Sequence, residues 1–158
     1  MERVNRIWNH PLYQENFRLL LLMEADRKFC CHGLSHCLDV ARLACLLEWE
    51  AGRRPDKELI YGAALLHDLG RAGEYQGGAS HEEGSLILAK QILPDCGYSE
   101  EEQKEILKLI GSHRGVRERE GLAASFFRAD KESRCCFACP AEPECHWAEE
   151  KKNKSILL

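Results

Sequence analysis

"LLHDLGRAGEYQGGASHEEG" occupies Leu65 to Gly84, and its first four residues decide how the chain is read. An apolar helical pattern runs into His67 and Asp68, and His81 follows just past a glycine-rich stretch. A buried carboxylate with no partner is costly, because the interior does not replace its hydration. Either Asp68 stands in solvent at a helix end, or a cation compensates it. Ile60, Ala63, Ala64 and His67 fall at i, i+3, i+4 and i+7, so His67 lies on the inward stripe of a helix.

The same pattern recurs along the chain. Ile106, Leu109 and Ile110 lead to His113, and Ala123, Phe126 and Phe127 lead to Asp130. In the opposite sense, His36 precedes Val40, Leu43 and Leu47. Four helices thus carry a His or Asp on the face that points at the core, at or near an end. A solvated face does not explain that.

Punctuation fixes the remaining elements. One helix is expected from Asn5 to about Glu24, interrupted by Pro11, and a second over "LSHCLDVARLACLLEWEAG", stopped by Gly52. Pro55 suits a first helical turn, and the third helix runs to about Leu69, ended by Gly70. Ser80 with Glu83 and Ser99 with Glu102 form capping boxes that open the fourth and fifth helices. Pro94 is expected to close the fourth, and the fifth to reach about His113. A sixth covers roughly Gly121 to Arg134, and a cysteine-rich tail follows at about 135–158. With no strand-like alternation and no repeat, the expected fold is all-α, a compact bundle of about six main helices in a single domain over residues 1–158.

The 158 residues, 44% hydrophobic and 30% charged, have the composition of an ordinary globular protein. A net charge of −4 argues against a broad nucleic-acid footprint. The longest apolar run, Leu19–Met23, is far too short to span a bilayer, and "MERVNRIWNHPLYQ" holds no signal-peptide core. No membrane or nucleic-acid partner is expected, and the expected location is cytoplasmic. Nine cysteines are many. Five of them (Cys30, Cys31, Cys37, Cys45 and Cys96) lie in or beside helical segments, where a free thiol packs as a small hydrophobe. The others cluster in "CCFACPAEPECHW", as Cys136-x-x-Cys139 and then Cys145-His146. The cluster could make a zinc or an iron–sulfur site, although its spacing fits neither a standard zinc finger nor a ferredoxin run, and reduced thiols packed under the last turn are the favoured reading.

Imidazole and carboxylate groups converging in a helical core bind transition ions such as Fe, Mn, Co, Ni or Zn, whose charge makes the burial tolerable. Six such residues exceed the needs of one ion once water is counted, and the adjacent His67-Asp68 pair suits two ions bridged by Asp68. A bound hydroxide then becomes a nucleophile near neutral pH, and the ions neutralise the oxygens of a phosphate under attack.

One His-Asp dipeptide says little: with seven His and six Asp in the chain, chance alone supplies roughly 0.3 of them. The ordered series is far more specific. "HGLSHCLDVARLA", "ALLHDLGR", "SHEEGSLIL", "IGSHRG" and "RADKESR" resemble the successive motifs of the HD-domain superfamily of metal-dependent phosphohydrolases, over about residues 30–134. The resemblance implies a first ion on His36, His67, Asp68 and Asp130, and a second on Asp68, His81 and His113. It also implies His67 and Asp68 as catalytic residues, one or two divalent transition ions with iron or manganese foremost, and a small phosphorylated substrate, foremost a nucleotide. Arg71 and Arg114 follow the HD pair and His113 and are candidates to hold a phosphate, since guanidinium forks suit its oxygens. Lys131 and Arg134 are weaker candidates for the same task. His32, one turn before His36, is expected to play a supporting role.

The resemblance also narrows the activity. "SHRGVRE" lacks the HHE…GYP signature of HD-type cyclic di-GMP phosphodiesterases. The ligand series is similar to that of small HD-type diadenosine tetraphosphate hydrolases and of small HD proteins with a cysteine-rich end. It is related to that of HD-type di-iron oxygenases, which are the alternative reading together with a non-catalytic nucleotide-binding module.

Overall fold

Pro11 divides what the pattern presents as one N-terminal helix into two. Proline disfavours helical backbone at the preceding residue, and His10 is accordingly extended (φ −69°, ψ 130°). Its ring nitrogen accepts from the Leu12 amide, so His10 caps the helix that Pro11 opens. The computed structural model describes residues 1–112 and 120–157. In chain order these residues form α1 (Glu2–Asn9), α2 (Pro11–Met23), α3 (Leu34–Glu50), α4 (Lys57–Leu66), α5 (Arg71–Tyr75), α6 (His81–Asp95), α7 (Glu100–Gly111) and α8 (Leu122–Glu132). Among the described residues there is no strand, and the all-α expectation holds.

Helix α3 packs between α4 and α8; α4 then lies on α7, and α6 covers α7 on one side and α5 on the other. The inward stripes meet in one core. Ile60, Ala63, Ala64, Ile106, Leu109, Ile110, Val40, Leu47 and Phe126 are all buried. Phe127 departs from its expected place: it is only partly buried and lies beneath the Lys131 ammonium, while Ala129 takes the inward position. The α3–α8 contact carries a polar tie, with Ser125 Oγ donating to buried Glu48 Oε1 at 2.6 Å.

Both capping boxes form as expected. Pro94 does not close α6 but sits in its last turn, and the helix ends at Asp95. The stop comes from Gly97, whose φ of 83° is a left-handed conformation that side chains resist. The glycine-rich connection after the HD pair is also more ordered than expected, because α5 forms within it.

Candidate metal centre

Helix α4 delivers its last turn to the middle of the bundle, so His67 (0% exposed) and Asp68 (2% exposed) sit at its end in the core. Helix α3 brings His36 from its first turn, α8 brings Asp130 near its last, and α6 brings His81 at its first residue. Each of these is buried. The ligand atoms of His36, His67, Asp68 and Asp130 all lie within 4.8 Å of one another, a set able to hold a metal ion.

The orientation of the rings is informative. His36 Nδ1 lies 3.2 Å from Ser133 Oγ, whose own hydrogen goes to the Asp130 carbonyl, so the ring is the donor in that pair. His67 Nδ1 meets the Ala64 carbonyl at 2.8 Å, and His81 Nδ1 meets the Glu74 carboxylate at 2.8 Å. A fourth ring, His32, places Nδ1 2.6 Å from Glu24 Oε1. With every Nδ1–H committed outward, every Nε2 turns inward. These nitrogens stand at 3.1 Å (His67), 3.5 Å (His36) and 3.9 Å (His32) from Asp68 Oδ2, and His81 Nε2 at 3.9 Å from Oδ1. His36 Nε2 also lies 3.3 Å from Asp130 Oδ1.

Such an arrangement suits a cation. Asp68 Oδ2 is buried and makes no hydrogen bond. Burial alone would raise the Asp68 and Asp130 pKa values, yet the imidazoles beside them hold both well below the usual carboxylate range. Burial disfavours charge on His67, but the Asp68 and Asp130 carboxylates outweigh it and push its pKa up to about 10. The two acids demand positive charge between them, and an ion on Nε2 would replace that proton. Burial, followed by the Arg71 charge, lowers the pKa of His81 and leaves it neutral, as ligation requires.

The chain's own cations reach the rim. Arg71, expected to hold a phosphate, donates from Nε to Asp68 Oδ1 at 2.8 Å. Lys131 Nζ stands 2.7 Å from Asp130 Oδ2, and Arg134 Nη2 3.2 Å from His36 Nε2. His113 and Arg114 lie outside the described residues.

Glu24 is the residue sequence reasoning missed. It is buried at the end of α2, where it accepts from the His32 ring and amide and from the Tyr75 hydroxyl at 2.6 Å. Burial raises its pKa, but these donors outweigh it and bring it to about 2. Burial in turn lowers His32 to about 4, so an ionised Glu24 holds a neutral His32. An acidic residue following five apolar ones gives no local signal of this role.

The comparisons with known proteins agree with this geometry. The family model described as HD domain matches residues 33–155. The chain is 42% identical over 156 residues to an uncharacterized protein of Clostridium beijerinckii, covering 99% of each. It is 32% identical over 120 residues to ribonuclease Y of Acetivibrio thermocellus, covering 76% of this chain but 21% of that protein. Among solved structures it is similar to a predicted HD superfamily hydrolase from an uncultured Thermotogales bacterium. The TM-score is 0.62 at 25% identity, over 88% of this chain and 80% of that one. An all-α bundle with a buried His/Asp cluster at its centre, matched in this way, belongs to the HD-domain family.

Proposed function

We propose that this protein is a metal-dependent phosphohydrolase, formed as one domain, that acts on a nucleotide or another small phosphate ester. The observation that carries the reading is the convergence of four imidazole Nε2 atoms on the Asp68 carboxylate, each ring fixed by an acceptor on Nδ1. Second partners of this kind fix the ligating tautomer and are costly to remove. His36, His67, Asp68 and Asp130 would hold a first divalent transition ion. Asp68, His81 and His113 would hold a second. An ion in this site supplies Lewis acidity toward phosphate oxygens and lowers the pKa of water.

The chain's residues do the rest. Ser133, Ala64 and Glu74 keep the His36, His67 and His81 rings aimed at the ion positions. Arg71 spends Nε on Asp68 and keeps its two terminal amino groups for phosphate oxygens. Burial of His67 and Asp68 shields the carboxylates from bulk water, which strengthens their attraction for a cation. Net charge favours a small substrate over RNA: at −4 the surface offers no broad attraction for a polyanion.

The test is hydrolysis of aryl phosphates, nucleotides and sugar phosphates by protein stripped with a chelator and reloaded. Activity should vanish on stripping and return with Mn²⁺, Fe²⁺, Co²⁺ or Ni²⁺ better than with Mg²⁺, because nitrogen-rich sites prefer the former. Full activity after exhaustive chelation would end the proposal, and turnover that consumes O₂ would point to an oxygenase.

A further inference from the structure

Beyond α8 the described residues form only short 3-10 turns, at Cys136–Ala138, Glu142–Glu144 and Glu149–Lys151. Over residues 135–151 only Cys136 and Ala141 are buried. Phe137 is 46% exposed. The expectation that the tail thiols pack as small hydrophobes is therefore met by Cys136 alone. Ordering backbone costs about 1–2 kcal/mol per residue, and two buried side chains cannot offset that over such a length. The Lys154 pairs with Glu142 and Glu149 lie at the surface and add little, so the sheltered ion pair here is that of Lys152, whose side chain is 5% exposed and meets the same two carboxylates. Segments with so little core are held by cross-links or metals.

The tail docks on the loop before α3. Lys28 Nζ meets Glu144 Oε1 at 2.5 Å, and the Phe29 and His146 rings stand edge to face at 5.9 Å. Arg134 Nη1 donates to the Cys31 carbonyl at 3.4 Å. Between loop and tail lies a cavity of about 250 Å³ whose wall carries Cys30, Cys31, Cys135, Cys136, Cys139 and Cys145. Cys30 and Cys31 therefore do not pack in the helical core; they face the tail cysteines.

Two of the six are poorly placed to serve as ligands. Cys31 and Cys135 are exposed, and Cys31 Sγ turns back onto its own loop, toward the Phe29 carbonyl at 3.5 Å. Cys30, Cys136, Cys139 and Cys145 are partly or wholly buried. We propose that these four hold an iron–sulfur cluster of the four-iron class, a metal site separate from the His/Asp centre.

Spacing favours a cluster over a single zinc ion. Zinc, with Zn–S of about 2.3 Å, draws its four sulfurs to about 3.8 Å from one another. Among the described residues the His36 set is the group whose ligand atoms approach within 4.8 Å, and no cysteine belongs to it. A cubane cluster places irons and sulfides between its thiolates and so needs a cavity such as the one these cysteines line. Arg134 and His36 both line that cavity, and the Arg134 guanidinium stands 3.2 Å from His36 Nε2, so the two metal sites are neighbours across these two side chains.

The test is reconstitution of the full chain with equal Fe²⁺ and Fe³⁺ and with sulfide under anaerobic conditions, read by visible absorption, iron and acid-labile sulfide. Sulfide is decisive, because a His/Asp centre contains none. Wild-type protein should carry about four sulfides per chain. Cys30→Ser, Cys136→Ser, Cys139→Ser and Cys145→Ser should each lose the absorption and most of the sulfide, while Cys31→Ser and Cys135→Ser keep both. Far-UV circular dichroism should show the helices unchanged in all six variants. One zinc per chain without sulfide, disulfides among the four cysteines, or no sulfide at all would overturn the proposal. A cluster that survives Cys139→Ser and Cys145→Ser would do the same.

Discussion

Asp68 meets imidazoles that differ in what they would do for a metal, and single substitutions separate them. His81→Ala should remove about one ion per chain and leave the first in place, because His81 approaches only Oδ1. Asp68→Ala should lower occupancy at both positions, since the carboxylate also offsets the repulsion between two nearby cations. Metal-to-protein ratios decide; a wild type with one ion that His81→Ala retains would make the centre mononuclear. Glu24 gives a pH-dependent signature instead. Its folded pKa of about 2 lies below the ordinary value, so its contribution to stability is present above about pH 4.5 and is lost as pH falls toward 2. Glu24→Gln should therefore cost about 2 kcal/mol at neutral pH, with the gap to wild type closing in acid, as measured by urea unfolding at several pH values. A gap that does not change with pH would show that Glu24 is not ionised. His67 and Asp130 were legible because helical periodicity places them on inward stripes. Glu24 and the roles of Arg71 and Arg134 were not, because each depends on a partner that only the folded chain supplies.

Helices α5 and α6 show the same division one level up. The capping boxes announce α6 and α7 in local chemistry, and both form. Helix α5 lies in a stretch whose glycines read as a loop, and tertiary contacts sustain it: Arg71 is tied to Asp68 and Tyr75 to Glu24. Gly70 sets the approach of the HD turn to α6. Its amide donates to Ser85 Oγ at 2.9 Å, and a Cβ there would lie 2.4 Å from both the His81 carbonyl oxygen and the Ser85 nitrogen. Those are backbone atoms and cannot swing aside. Gly70→Ala should therefore push α6 outward, cost about 1–3 kcal/mol and weaken the ion shared with His81 more than the other. Gly73 is the contrast, since a Cβ there meets nothing within 4 Å. Gly73→Ala should stabilise α5 by about 0.5–1 kcal/mol and leave activity unchanged. Thermal unfolding and metal titration of the two variants test both statements, and similar behaviour would refute the contact argument.

Across the whole molecule, the bundle and its core were readable because the apolar stripes repeat with one period. The pairing of the loop at residues 30–31 with the tail was not, because no local rule links segments so far apart in the chain. The docked tail and the buried centre share Arg134, which touches the Cys31 carbonyl on one side and His36 on the other. Unfolding in chelator should accordingly begin from a less stable state, with the melting temperature rising as Mn²⁺ is titrated back. A melting temperature indifferent to the ion would mean that the centre does not bind it. The balance of charge at the centre has a further effect on the order of events. The two carboxylates that face the interior are already met by the His67 proton and by the rim cations, so the centre offers an arriving phosphate little net attraction until a metal ion has entered. Cation and anion affinities must then be thermodynamically coupled, and by equal factors in both directions. Calorimetry should find inorganic phosphate nearly silent against stripped protein and bound by the loaded form, while phosphate tightens the hold on Mn²⁺ by the same ratio.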